Sequence, residues 1–403
     1  MPRIVQVWVA WRPLAALGSL VAYIGACLLV AWVESRPDVL RQTWETYRRD
    51  FITADGRVVD PPPSGYGETT SEAQSYAMLR AVWLGDRPVF DRTWRWTRVN
   101  LQVRGDSLFG WLWGRDQAGA WTLLSENTAA DADEDIALAL VFASRRWSEE
   151  RYLTAARSVI AGIWAKEVAW ARGRPYLVAG DWAGGVRDQV VINPSYLAPY
   201  AYRVFAAVDP GHRWLELVRT SYDVLERCSW SQLDEDPGVG LPPNWCVLSP
   251  YDGAAHGYSG AAGDDYGLDA FRVMWRVALD DEWNGSPAAA AYLARSGFLR
   301  RQWRLHHRLE ARYAHDGTAY ADAGEEALTY AGDLGDFVVN DPAAARSIVQ
   351  NELLATLRRD RGGVDWGHRS SYYAENWIWF GVALAQRRLV NLAQGPVPFG
   401  ASM

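Results

Sequence analysis

"TTSEAQSYAMLRAVWLGD", residues 69–86, reads as a helix with both ends marked. Hydroxyl residues Thr69, Thr70 and Ser71 precede it, apolar side chains recur at helical spacing from Tyr76 to Leu84, and Gly85 follows. Its one early acid, Glu72, has two readings. Thr69-x-x-Glu72 fits a capping box, as does Ser71-x-x-Gln74, so by itself Glu72 is a cap residue. The other reading makes it a carboxylic acid held at the lip of a cleft.

The same helical period returns at 135–147, 151–168, 195–208, 268–279, 288–299, 345–359 and 375–393. Turns rich in glycine and proline, such as 236–243 and 251–265, separate these runs. About a dozen helices are predicted, with alternating β pattern confined to short stretches such as 56–60. No internal repeat supports a solenoid. Periodicity alone gives a large all-α domain over residues 37–403.

Two further helix starts carry acids. In "AADADEDIALALVFASRRW", 129–147, Asp131 can cap the helix with Glu134 at the third position. In "LDAFRVMWR", 268–276, Asp269 is expected in the first helical turn, with Arg272 three residues on, the spacing of a local ion pair.

Composition narrows the chemistry. The 403 residues carry a formal net charge of −7 and almost all their basic groups are arginine, Lys166 being the only lysine. That is not the basic footprint of a nucleic-acid binder. Six histidines and three cysteines fall at no metal-ligand spacing, and no metal or other cofactor is expected. Cys228 and Cys246 are read equally as a disulfide or as buried thiols. Most of the 23 tryptophans are expected in the core, with a minority as platforms for sugar rings.

Residues 13–33 run 21 positions without a charge, which as a helix reaches roughly 31 Å, enough to cross a bilayer core. Arg3 and Arg12 precede the run and Glu34 follows it, favouring an inside N-terminus and an outside remainder. The expectation is a single-pass signal anchor over residues 1–36, placing the rest of the chain outside the cell membrane; a cleaved or lipidated signal is the alternative.

The three acid segments together resemble the signatures of glycoside hydrolase family 8. "TTSEAQSYAM" is similar to T-S-E-G-Q-[SG]-Y-G-M, "AADADEDIALAL" to A-[ST]-D-[AG]-D-x-x-[IM]-A-x-[SA]-L, "LDAFRV" to Y-D-A-x-R-V, and "NPSYLAP", 193–199, to N-P-S-Y-x-x-P. Stretches 44–61, 90–101, 111–114 and 371–381 also resemble the branch found with bacterial cellulose synthases. Ala73, Ala77, Ala130 and Leu268 replace the family's two glycines, its Ser/Thr and its tyrosine, and no carboxylate is lost.

The resemblance implies an (α/α)6 barrel with Glu72 as general acid, Asp269 as general base and Asp131 as the carboxylate that binds sugar at the cleavage point. Tyr196, Arg272 and Asp133 become expected substrate contacts, and Trp113, in "GWLWG", a sugar platform. The implied reaction is endo-acting, inverting hydrolysis of a β-1,4-glucan, and the resemblance to that branch implies a cellulose synthase complex at the membrane as partner. Xylan, chitosan and mixed-linkage glucan stay open as substrates, as does a non-catalytic glycan-binding subunit of an export complex. One tension needs an answer: a helix N-terminus favours the carboxylate, whereas a general acid must keep its proton. The expectation is that the charge of Asp131 holds it there.

Overall fold

Helices buried on nearly every side, polar residues included, and helices with a single buried stripe alternate along the chain. In the computed structural model, which describes residues 38–394 apart from 64, 187–188, 234 and 259–262, this difference sorts them into two rings. The inner helices are α2 (Ser71–Leu84), α4 (Ala130–Trp147), α6 (Pro199–Val208), α8 (Arg272–Asn284), α11 (Ala327–Asn340) and α13 (Tyr372–Ala385). In α2 every residue from Ala73 to Leu84 is buried, so no face of it belongs in water.

The outer helices are α1 (Val39–Asp50), α3 (Arg87–Asn100), α5 (Glu150–Lys166), α7 (Trp214–Trp230), α9 (Pro287–Arg295), α10 (Phe298–His306) and α12 (Pro342–Ile348). Only one stripe of α1 is buried, Leu40, Thr43, Trp44, Thr46 and Tyr47. Each inner helix packs on the next, and α13 returns to α2, closing the ring. Glycines permit the closest approaches: a side chain at Gly335 of α11 would come within 2.1 Å of the Met274 carbonyl on α8.

Because an outer helix leads back from each inner one, the inner helices run parallel and their N-termini collect at one end. That end is dressed by small antiparallel sheets: β1 (Thr69–Thr70), β2 (Leu112–Arg115) and β3 (Trp121–Ser125) form one, and β4 (Val168–Ala171) and β5 (Arg174–Leu177) another. β6 (Gly184–Val186), β7 (Gln189–Ile192), β8 (Cys246–Leu248) and β9 (Ala255–Gly257) form a four-stranded sheet, and β10 (Arg358–Asp360) pairs with β11 (Gly363–Asp365). These eleven strands exceed the little β structure expected, because they lie in loops too short to show a period of two. A disulfide joins Cys228 of α7 to Cys246 of β8, deciding the question the sequence left open.

Other boundaries shift. The run 195–208 splits into a 3₁₀ turn, Pro194–Tyr196, and α6, because Pro199 takes the first helical position. The run 288–299 breaks between α9 and α10 at Ser296 and Gly297. Most large aromatics do lie in the core; Trp377, at the centre, meets Phe271, Trp275 and Tyr76 edge-on with centroids 5.3, 5.6 and 5.7 Å away. Among the described residues no helix is long and apolar enough to cross a membrane. The expected anchor, 13–33, lies outside the described residues.

Candidate active site

Glu72 is not a cap. The N-cap of α2 is Thr70, whose hydroxyl accepts from the Ala73 amide at 3.0 Å, one residue away from the predicted box. Gln74, the partner in the second predicted box, turns inward and donates to Thr97 Oγ1 at 2.7 Å. Glu72 is thereby left with its side chain over the mouth of the ring. Asp131 is not a cap either: α4 starts after Ala129, which makes no side-chain cap bond, and Asp131 lies within the first turn. Asp269 precedes its helix, in the turn that leads to Arg272 at the start of α8.

One guanidinium gathers all three acids. Arg272 Nη1 donates to Glu72 Oε2 at 3.0 Å and to Asp131 Oδ2 at 2.8 Å, while Nη2 donates to Asp269 Oδ1 at 2.7 Å. Arg272 is buried, 1% exposed, whereas the side chains of Glu72 and Asp269 keep 19% and 34% of their surface open to solvent. Asp131 lies between and beneath them, 2% exposed. The Tyr372 hydroxyl donates to Glu72 Oε1 at 2.9 Å, and Asn244 accepts from the Asp269 and Ala270 amides at 3.1 and 3.0 Å.

Three carboxylates against one cation leave a net negative charge, so one proton is retained cheaply. Burial pushes Glu72 up to about 7; Arg272 opposes this, and the Asp131 charge adds to it. Burial therefore does most of what the sequence reading assigned to Asp131, whose contribution is smaller. Asp269 is also raised by burial, with Arg272 pulling it down.

Two hollows lie beside the cluster. One, of about 420 Å³, is walled by Trp111, Trp182, Tyr196 and Trp245, with Thr128 and Ala129 at its floor. Tyr196 joins it to the cluster, since the Arg272 guanidinium lies 5.2 Å from its ring centroid. The other, of about 280 Å³, mixes apolar and charged walls, Leu268 and Ala311 with Arg312, Asp322 and Glu326, and lies beside Asp269 through Asn244. A proton donor, a second carboxyl, and an aromatic wall in an open groove suit the cutting of a saccharide chain.

Comparison with known proteins agrees: residues 17–331 match the model of glycosyl hydrolases family 8. The chain belongs to this family. An endoglucanase of Xanthomonas axonopodis pv. citri is 36% identical over 69% of this chain and 68% of its own length. Endoglucanase 2 of Ruminiclostridium josui is 32% identical over 64% of this chain, and the match spans about half of that protein, 53%. The family 8 fold is shared with solved structures of an endo-1,4-D-glucanase from Vibrio fischeri (TM-score 0.70, 24% identity, 85% of this chain and 94% of that one) and of the endo-β-1,4-glucanase CMCax from Acetobacter xylinum (0.69, 23%, 88% and 99%).

Within the family 8 motifs, the structure brings together Glu72, Asp131, Asp269, Arg272 and Tyr196. It does not bring Asp133, which is fully buried, accepts from the Phe109 amide at 3.2 Å and faces Glu167. Two positions past Asp131 it points about 200° around the helix, away from the groove. Arg272 is a buried pivot rather than an open substrate contact. Trp113 lines a separate hollow; a register shift between Leu112 and Trp113 leaves Trp111 in the aromatic wall instead. Tyr372, Asn244, Trp182 and Trp245 were missed. The 371–381 resemblance covers Tyr372, but no local pattern marks a residue that acts 300 positions away from Glu72.

Proposed function

We propose that this chain is an endo-acting, inverting hydrolase of β-1,4-glucan, anchored in the cell membrane by residues 13–33 with its catalytic ring outside. The observation that carries the catalytic reading is the single buried guanidinium of Arg272 holding Glu72, Asp131 and Asp269 beside two open hollows. A chain lying across the groove passes the acids with sugar rings on both sides, which is what internal cleavage requires. Glu72 gives its proton to the leaving glycosidic oxygen as the bond to the anomeric carbon breaks. A water attacks that carbon from the opposite face and loses its proton to Asp269. Asp131, below, holds Arg272 and the sugar hydroxyls in register.

The endoglucanase names of the relatives support glucan as the polymer. The uncharged run at 13–33 supports the anchor, and the Cys228–Cys246 disulfide supports an oxidising location outside. An anchored enzyme suits processing of polysaccharide as it leaves a synthase at the same membrane. The test is a polymer panel: the native chain releases reducing ends from hydroxyethylcellulose and carboxymethylcellulose in preference to xylan and chitosan, and NMR of the first products shows the inverted anomer. Retained polymer binding with no release from any substrate would replace this reading with a binding subunit.

A further inference from the structure

A third hollow, about 470 Å³ in volume, opens beside the β2–β3 hairpin, and no step of the reaction above uses it. Its chemistry is distinct. Trp113 and Trp121 stack with centroids 4.8 Å apart and planes 9° from parallel, and Trp96 meets Trp113 edge-on at 5.2 Å. The Arg57 guanidinium lies 4.5 Å from the Trp121 centroid and 5.0 Å from that of Trp113, with Arg115 4.9 Å from Trp121 and Arg95 in the wall.

Among the described residues none of these three arginines forms an ion pair. Arg57 donates to the Gly67 carbonyl at 3.2 Å, and Asp55, the acid of this hollow, accepts from Thr53 Oγ1 at 2.5 Å. Burial lowers Arg57 from its ordinary value while the charge of Asp55, in the same hollow, partly opposes it, so the guanidinium has lost water without forming an ion pair. Trp121 and Val99, 40% and 62% exposed, offer apolar surface beside the guanidiniums.

Its position ties it to the groove. Trp113 pairs across the sheet with Thr69, Thr70 caps the helix that carries Glu72, and Trp111 of the aromatic wall lies two residues before Trp113. We propose that this hollow binds a carboxylate-bearing sugar unit of the glycan chain, its C–H face against Trp121 and Val99 and its anion on Arg57, Arg95 and Arg115. The proposal rests on the glycan-hydrolase reading and adds selectivity for an acidic substituent. With a formal charge of −7 the whole protein repels an acidic polymer, so a local cluster of guanidiniums, whose planar forks match a carboxylate, is what would admit one.

The experiment uses the full chain carrying Glu72→Gln, so that polymer is not cut, in affinity electrophoresis through gels containing carboxymethylcellulose or neutral hydroxyethylcellulose. Adding Arg57→Gln, Arg95→Gln and Arg115→Gln together should weaken carboxymethylcellulose binding about fivefold or more, and adding Trp121→Ala alone about threefold, at low salt. Hydroxyethylcellulose binding should stay within about twofold, which also shows that the fold and the groove are intact. Equal losses in both gels, unchanged carboxymethylcellulose binding, or loss in the arginine variant with none in Trp121→Ala, overturns the site. Release of reducing ends from hydroxyethylcellulose by the native chain reports on the hydrolase reading separately.

Discussion

Arg272 and Arg276 stand one turn apart on α8, and Asp131 and Asp135 stand one turn apart on α4. The two pairs form successive layers inside the ring. In the upper layer Arg272 meets Asp131 at 2.8 Å and also holds Glu72 and Asp269, both of which reach solvent. In the lower layer Arg276 Nη1 and Nη2 donate to the two oxygens of Asp135 at 3.2 and 3.0 Å, and Nη1 donates to the Tyr200 hydroxyl at 2.7 Å. Side-chain exposure there is 1% and 4%. Below, charge and partner are matched and sealed. Above, acids outnumber the cation and two are open. The same interaction is therefore structural in one layer and chemical in the other, and the difference lies in stoichiometry and access to water.

The comparison breaks most sharply by substitution of one charged group in each layer's network. Glu72→Gln or Asp269→Asn should cost roughly 10²–10⁴-fold in reducing-end release while leaving the folded protein intact by circular dichroism. Arg276→Met strands the Asp135 charge in the interior and should cost about 3–5 kcal/mol in urea unfolding. If Asp269→Asn is the more destabilising of the two, the assignment of layers is reversed.

The disulfide supports the upper layer from outside. Cys246 is two residues beyond Asn244, which holds the backbone at Asp269. Replacing Cys228 and Cys246 by serine should lower stability by about 2–4 kcal/mol, measured by thermal unfolding, with a smaller fall in kcat.

The smallest effects concern protons. The general acid works protonated, so activity should fall as pH rises through about 7, the Glu72 value. Asp131→Asn removes one of the charges that raise Glu72, and the alkaline limb of the pH–rate profile should move toward acid; a limb left in place removes Asp131 from that role. Glu72 also links pH to stability. Its folded value of about 7 exceeds the ordinary 4.5, so folding takes up a proton, and this contribution is complete below about 4.5 and lost as pH rises through 7. The gain in melting temperature of Glu72→Gln over the native chain should therefore be wider at pH 8 than at pH 5.

The helices were legible because hydrophobic period and glycine- and proline-rich turns are local signals, whereas the closed double ring was implied only by the family resemblance. The three acids were found through motif resemblance, since alone Glu72 and Asp131 look like helix caps and Asp269 like half of a local ion pair. What stayed hidden was direction. Thr70 rather than Thr69 caps α2, which frees Glu72; Asp131 turns to the groove and Asp133 away; a register shift exchanges Trp113 for Trp111.

The sequence by itself determined which stretches are helical and which acids stand near their starts, because turn chemistry and hydrophobic period act over a few residues. Only the closed ring decided which acids share a cation, because that depends on the rotation of each helix about its axis and on neighbours such as Tyr372 and Arg272, hundreds of positions away in the chain. Burial, too, is a property of the closed ring, and burial is what holds the proton on Glu72.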